Sequence, residues 1–150
     1  MPEPQTLLTG LAIGESPRWH EDRLWFSHWG TKEILAVDLD GNTEVVAHAP
    51  TTIGYSIDWL PDGWLLVTAG TRLLQCTKPG GPWETYADLS HLAGGWSEIV
   101  VDGRSNTYVN GSDFDFLGGG EFIPGTSPWS PPTGRSARWR TTSRFPTAWW

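Results

Sequence analysis

The sequence predicts an all-β protein: a partial β-propeller of about two and a half blades, followed by an irregular C-terminal tail. Two observations lead to this prediction. A pattern of short apolar segments and turns repeats about every 40 residues, which is typical of propeller blades. The composition favours short strands over helices, because 18 Gly, 12 Pro and 11 Trp accompany a charged fraction of only 18%.

Three serines mark the first part of each repeat: Ser16, Ser56 and Ser97 lie 40 and 41 residues apart. Each serine is followed by a short segment, a turn and an apolar segment that we interpret as a strand. The three turns are Glu21-Asp22, Pro61-Asp62-Gly63 and Asp102-Gly103. Because Gly has no Cβ, Asp-Gly suits a tight hairpin that requires positive φ. Each repeat therefore opens with two antiparallel strands.

A second pair of strands follows in the first two repeats. Residues 34–37 are apolar and lead through Asp40-Gly41 to the apolar-rich segment 43–47. Their counterparts are residues 73–76, then Gly80-Gly81, then residues 83–87. Four short antiparallel strands per repeat indicate a propeller blade, although a β-sandwich also spaces its strands by turns. A sandwich does not require a four-strand period, so we favour the propeller.

Other features limit the kind of protein. Cys76 is the sole cysteine, so an intrachain disulfide is excluded and no cysteine-based zinc site is indicated. The N-terminus lacks the pattern of a signal peptide, and no apolar segment is long enough to span a bilayer. We therefore expect a cytoplasmic protein with no membrane partner. No Gly-x-Ser-x-Gly, His-Glu-x-x-His or phosphate-loop motif is present.

Three ordered segments resemble the gluconolactonase, regucalcin and senescence-marker-protein family, which includes LRE-like proteins. They are residues 14–19 (GESPRW) with 24–27, residues 58–63 (DWLPDG), and residues 97–103 (SEIVVDG). The resemblance covers residues 8–125. It implies a six-bladed propeller that holds one divalent metal in its central channel, calcium or alternatively zinc or magnesium, and hydrolyses small-molecule lactones such as sugar lactones.

The resemblance also implies roles for three residues. Glu15 matches the first metal ligand of the family, while Ser97 and Glu98 lie where relatives hold substrate, with Ser97 replacing an Asn. Gly95 and His28 also depart from the family pattern, and the substrate is therefore left open. No segment matches the later Asn and Asp ligands, and a single carboxylate cannot make a calcium site. We therefore expect a truncated form that is inactive and has no catalytic residue of its own.

Residues 126–150 form the expected irregular tail, and their composition is unlike that of the rest. All 17 acidic residues lie at or before Glu121, so residues 1–121 carry a net charge of −11, whereas the remainder carries four Arg, four Trp and no acid. One hypothesis is that residues from about Ser127 are a frameshifted reading of the next blade. A shift of one base permits the sequence IALVTPDGSVRTVADDLAFPNGMV, which contains two strand-like segments around a Pro-Asp-Gly turn. A native disordered tail and a nucleic-acid-binding arm are the alternatives.

Two further functional readings are compatible with the sequence. Propellers also serve as non-catalytic binding modules, in which case no metal would be needed. The second interpretation is a fragment that does not fold, because open strand edges and many exposed aromatic residues favour aggregation. We favour the lactone hydrolase and expect no nucleic-acid partner.

Overall fold

The computed structural model describes residues 3–51, 54–114, 118–121 and 123–132, and the backbone of 140–145. This part of the chain contains twelve strands in chain order. They are β1 Gly14–His20, β2 Arg23–His28, β3 Glu33–Val37, β4 Thr43–His48, β5 Ile57–Trp59, β6 Leu65–Ala69, β7 Arg72–Cys76, β8 Glu84–Asp88, β9 Trp96–Val101, β10 Thr107–Gly111, β11 Gly125–Ser130 and β12 Arg140–Phe145. None of the described residues belongs to a helix long and apolar enough to cross a membrane.

The strands form three four-stranded antiparallel sheets, each made of strands consecutive in sequence: β1–β4, β5–β8 and β9–β12. The predicted all-β propeller architecture is thus confirmed. The expectation of an irregular tail requires correction, because β11 and β12 lie within it and complete the third sheet. The sequence did not indicate these strands because residues 125–130 lack a run of apolar side chains.

The hydrophobic core lies between neighbouring sheets. Side chains of the first two sheets form one cluster, which includes Trp25, Ile34, Ile57 and Val67. Side chains of the second and third sheets form another, which includes Leu66 and Ile99 and other buried residues. Because the middle strands of the second sheet contact a neighbour on each face, β6 and β7 are apolar and buried almost throughout instead of alternating.

Two aspartates organise turns that have the same design. Asp38 Oδ1 accepts hydrogen bonds from the backbone N–H groups of Asp40 and Asn42, both at 2.9 Å, and its Oδ2 accepts one from the Asn42 side chain. Asp102 is bonded in the same way to Arg104 and Asn106. The Asp38 turn joins β3 to β4, and the Asp102 turn joins β9 to β10. In each turn the aspartate carboxylate accepts hydrogen bonds from backbone N–H groups.

The first strand of each sheet is its inner strand. β5 packs against both β1 and β9, so these three strands lie side by side although about 40 residues separate each from the next. Polar side chains at equivalent places on β1, β5 and β9 are thereby brought close together. This inner wall is the region where the sequence-predicted site residues lie.

Candidate functional site

An arginine on the inner wall connects all three sheets. From β1, the Arg18 Nη2 atom lies 2.8 Å from Oε1 of Glu98 on β9, and its Nε lies 3.6 Å from Oδ2 of Asp58 on β5. Nη2 also donates to the carbonyl oxygen of Ile99 at 2.6 Å. We call Arg18, Asp58 and Glu98 the inner-wall triad. One cation between two carboxylates gives this cluster a formal charge of −1.

The two carboxylates of the triad are held by further donors. Asp58 Oδ2 accepts a 2.7 Å hydrogen bond from the backbone N–H of Val101, and Glu98 Oε1 accepts one of 3.0 Å from the N–H of Ile99. The Asp58 side chain is 14% exposed and that of Glu98 is 43% exposed. The triad therefore fixes the lateral position of β9 against β1 and β5, while the Glu98 carboxylate still reaches solvent.

Ser16 joins β1 to β5 beside the triad. Its hydroxyl donates to the carbonyl oxygen of Ile57 at 3.3 Å and accepts from the Ile57 N–H at 3.1 Å. The residue has φ of 55°, at an irregularity in the pairing of β1 with β2 between Glu15 and Arg18. A non-glycine residue at positive φ costs about 1 kcal/mol or more, so the fold tolerates strain here to turn Ser16 towards β5.

Glu15, the predicted metal ligand, lies at the start of β1 opposite Ser27 of β2 and is partly buried. Among the described residues, no hydrogen bond or ion pair engages its carboxylate or links it to Ser97 or Glu98. The carboxylate is therefore available to a ligand, and its oxygen atoms suit a hard cation.

The described residues do not by themselves fit a metal ion. Within these segments, no three His, Cys, Asp or Glu side chains come together in a manner that could hold one. Calcium takes about six to eight oxygen ligands, of which Glu15 offers at most two. A calcium ion bound at Glu15 would therefore need at least four further oxygen ligands, and no cluster of acidic side chains among the described residues supplies them.

The predicted substrate residues occupy different environments. Ser97 is exposed, and its hydroxyl donates to the carbonyl oxygen of Asn110 on β10 at 3.4 Å. Glu98, its neighbour, belongs to the inner-wall triad. The structure thus brings Glu98, but not Ser97 or Glu15, into a network of side chains from three sheets. The functional role of each of these residues stays a prediction.

Sequence reasoning missed Arg18 and Asp58 as members of a site. Both lie two residues after a repeat serine, Ser16 or Ser56, so they occupy equivalent positions in neighbouring repeats. Opposite charges at equivalent repeat positions are a signal that could have indicated an ion pair across blades. The third repeat has Ile99 at this position, and Glu98 supplies the second carboxylate instead.

His28, which had no functional interpretation, has a structural role. It is 6% exposed, and its Nε2 accepts a 3.0 Å hydrogen bond from the backbone N–H of Ala12, while its Nδ1 lies 2.7 Å from the Thr31 hydroxyl. Because Nε2 accepts, the neutral ring carries its proton on Nδ1 and donates it to Thr31, whose hydroxyl in turn donates to Glu33. His28 therefore fastens the segment before β1 to the first sheet.

Comparisons with known proteins agree with this architecture. The family described as SMP-30/Gluconolactonase/LRE-like region matches residues 13–118, which include Glu15, Ser97 and Glu98. No curated protein sequence matches the chain. Among solved structures, one assigned to the gluconolactonases by a structural genomics project superposes with a TM-score of 0.71 at 17% identity, covering 95% of this chain and 53% of its own.

A gluconolactonase from Xanthomonas campestris superposes with a TM-score of 0.68 at 15% identity. That alignment covers 93% of this chain and 50% of the Xanthomonas protein. The chain thus spans about half the length of these two structures, and at such identity the likeness concerns the fold. The family match covers most of the chain, and the chain belongs to the SMP-30/gluconolactonase/LRE-like family.

Proposed function

We propose that these three blades are part of a metal-dependent lactone hydrolase. The observation that supports this most strongly is the family match over residues 13–118, because it contains the inner strands of all three sheets and every candidate site residue. A propeller of this kind presents polar side chains from several blades to one central space. That arrangement suits a small-molecule substrate such as a sugar lactone.

We assign Glu15 as one ligand of a divalent cation, calcium, with zinc and magnesium as alternatives. Its partly buried carboxylate has no partner among the described residues, and Glu15 lies near the first residue of the inner strand β1. Carboxylate oxygen is the ligand that calcium and magnesium prefer. Bound there, the cation would polarise a lactone carbonyl group, and further blades would supply its other ligands.

Ser97 and Glu98 are proposed to contact the substrate. The exposed Ser97 hydroxyl donates its proton to the Asn110 carbonyl, and its oxygen can accept a hydrogen bond from a sugar hydroxyl group. The second oxygen of the Glu98 carboxylate has no partner among the described residues. Arg18, which holds the first oxygen, would orient this carboxylate for a substrate hydroxyl group.

The chain by itself is proposed to be inactive. Glu15 alone does not hold calcium, and a propeller ring needs at least about four blades to close, whereas the described residues form three sheets. With gluconolactone as substrate and calcium present, we expect hydrolysis no faster than in buffer and no saturable calcium binding by calorimetry. EDTA-sensitive hydrolysis by this chain would contradict the proposed inactivity but support the lactonase.

The activity itself is tested in a version extended by the remaining blades. It should hydrolyse at least one member of a panel of sugar and aliphatic lactones, and Glu15→Gln should abolish both calcium binding and turnover. Glu21→Gln, at an exposed turn, is the matched control and should leave both unchanged. A closed, folded propeller that hydrolyses no lactone with any of the three metals would overturn the proposed function.

A further inference from the structure

The third sheet differs from the first two in its third strand. β11 lies between β10 and β12, and its residue Pro128 is buried. Proline has no N–H to donate and is therefore confined to edge strands, strand ends and bulges in ordinary sheets. Pro128 lies at an irregularity in the pairing of β11 with β12, and similar irregularities occur in the pairings of β3 with β4 and of β7 with β8. The proline itself distinguishes β11, because β3 and β7 contain none.

The pairing of this strand is also incomplete. β2 pairs with β3, and β6 with β7, at every consecutive residue of the interface. β10 pairs with β11 at Thr107, Tyr108 and Gly111, whereas Val109 and Asn110 have register partners on β9 but none on β11. The strands in the equivalent place, β3 and β7, are mostly buried and read Glu-Ile-Leu-Ala-Val and Arg-Leu-Leu-Gln-Cys, whereas β11 reads Gly-Thr-Ser-Pro-Trp-Ser.

From these observations we propose that the gene encodes the outer hairpin of the third blade in a reading frame displaced by one base. Residues after Thr126 are then an out-of-frame translation of a regular blade. Each displaced codon consists of the third base of one visible codon and the first two bases of the next. The visible residues therefore fix its last two bases, apart from the two codon families of Ser and Arg, and the choice of synonymous codon sets its first base.

The visible residues restrict several displaced codons to a few amino acids. Where Ser127 is encoded by a TC codon, the codon that ends in its first two bases specifies Ile, Val, Leu or Phe. The codon that ends in the first two bases of Trp129 specifies Leu, Val or Met, and the following one, which begins with the last base of TGG, specifies Val where Ser130 is encoded by a TC codon. The result is a strand-like apolar segment in place of Ser-Pro-Trp-Ser.

The displaced reading matches the outer hairpin of the first blade, β3 and β4. The permitted sequence IALVTPDGSVRTVA aligns without a gap with residues 34–47, ILAVDLDGNTEVVA. With TC codons for Ser127 and Ser130 and a CG codon for Arg140, five displaced positions are restricted to apolar residues or alanine. They coincide with five buried residues of that hairpin: Ile34, Ala36, Val37, Val46 and Ala47. The position restricted to Asn, Asp, His or Tyr coincides with Asp40, and the next, restricted to Gly, Arg or Trp, coincides with Gly41 at φ 85°.

The same displacement explains the composition of the tail. Arg and Trp codons rich in C, G and T supply the bases of Val, Leu and Ala codons in the displaced frame. The displaced codons that end in the first two bases of Thr133, Thr141 and Thr142 specify Asn, Asp, His or Tyr, so that frame permits the aspartates that are absent after Glu121. Neither a native disordered tail nor a nucleic-acid arm accounts for the agreement with the buried positions of β3 and β4.

The DNA sequence tests this directly. We expect the displaced frame to stay open well past the Trp150 codon and to encode further units of about 40 residues with turn motifs of the Pro-Asp-Gly kind. A stop codon in that frame within the next unit, or a continuation without such a repeat, would overturn the proposal.

The protein provides an independent readout. Adding one base after the second base of the Thr126 codon should replace β11 with an apolar strand. Because successive N–H groups of a strand point to opposite neighbours, amide hydrogen exchange should slow at least tenfold at the one of Val109 and Asn110 whose N–H faces β11. A control gene that adds this base and removes the one directly after it restores the frame at Ser127, keeps the sequence of β11 and should exchange like the original chain. Unchanged exchange in the one-base variant would count against the proposal, whether or not any lactone is hydrolysed.

Discussion

Replacing Arg18 by methionine tests the structural role of the inner-wall triad. The substitution keeps most of the apolar stem but removes two hydrogen bonds to β9, to Glu98 at 2.8 Å and to the Ile99 carbonyl at 2.6 Å, and an exposed one to the Pro17 carbonyl. It also leaves the Asp58 carboxylate, 14% exposed, without its cation. Hydrogen bonds to charged groups contribute about 1.5–3 kcal/mol each, and partial exposure lowers that contribution.

We therefore expect Arg18→Met to lower the free energy of unfolding by about 2–3 kcal/mol, which corresponds to a fall in melting temperature of roughly 5–10 °C for a chain of this size. Urea unfolding followed by tryptophan fluorescence measures the change, since Trp25 and Trp96 are both buried in the cores between sheets. A double-mutant cycle with Asp58→Asn should show a coupling energy of about 1 kcal/mol.

Arg23→Met is the matched control. Arg23 makes an ion pair of 2.6 Å with Glu44, but the Glu44 side chain is 63% exposed and both residues belong to the first sheet. Such a surface pair contributes about 0–1 kcal/mol. If Arg18→Met destabilised the protein no more than Arg23→Met does, the reasoning that the triad holds three blades together would be refuted.

Three further predictions concern the scaffold. His28→Ala should lower the free energy of unfolding by about 1–3 kcal/mol, because a buried acceptor is lost, and should make the segment before β1 more sensitive to limited proteolysis. Hydrogen bonds from Asn42 lower the pKa of Asp38, so the stability they contribute is present above the unfolded pKa of about 3.9 and is lost as the pH falls through the lower folded value. Asn42→Ala should therefore make the free energy of unfolding fall less steeply as the pH is lowered below about 4. Gly111→Ala should destabilise the β9–β10 hairpin by about 1–3 kcal/mol in urea unfolding, since a Cβ there would collide with a backbone carbonyl, whereas Gly103→Ala, in open space, should be neutral.

Much of the fold follows from local sequence. A blade is a local unit, and its four strands are joined by short turns, so the repeat of Ser16, Ser56 and Ser97 predicts both the sheets and their order. Asp-Gly turns identify the hairpins because their conformation depends on the residues within them. The third sheet was underestimated because β11 carries Pro and Ser where β3 and β7 carry apolar residues.

The candidate site was only partly predictable. Family resemblance indicates Glu15, Ser97 and Glu98, each from a short motif, but nothing local indicates that Arg18 contacts Glu98 across 80 residues of sequence. That contact depends on the side-by-side packing of β1, β5 and β9, which follows from burial of the apolar faces between sheets.

By itself, then, the sequence determined the all-β propeller class, the positions of the first ten strands and the family. Those properties depend on interactions between residues close in the chain and on a repeated pattern of apolar side chains. Only the tertiary structure decided which polar groups meet, because the distances between the inner strands are set by how whole sheets pack. Arg18 shows the difference: its charge follows from the sequence, whereas its contacts with Asp58 and Glu98 depend on how the three sheets pack.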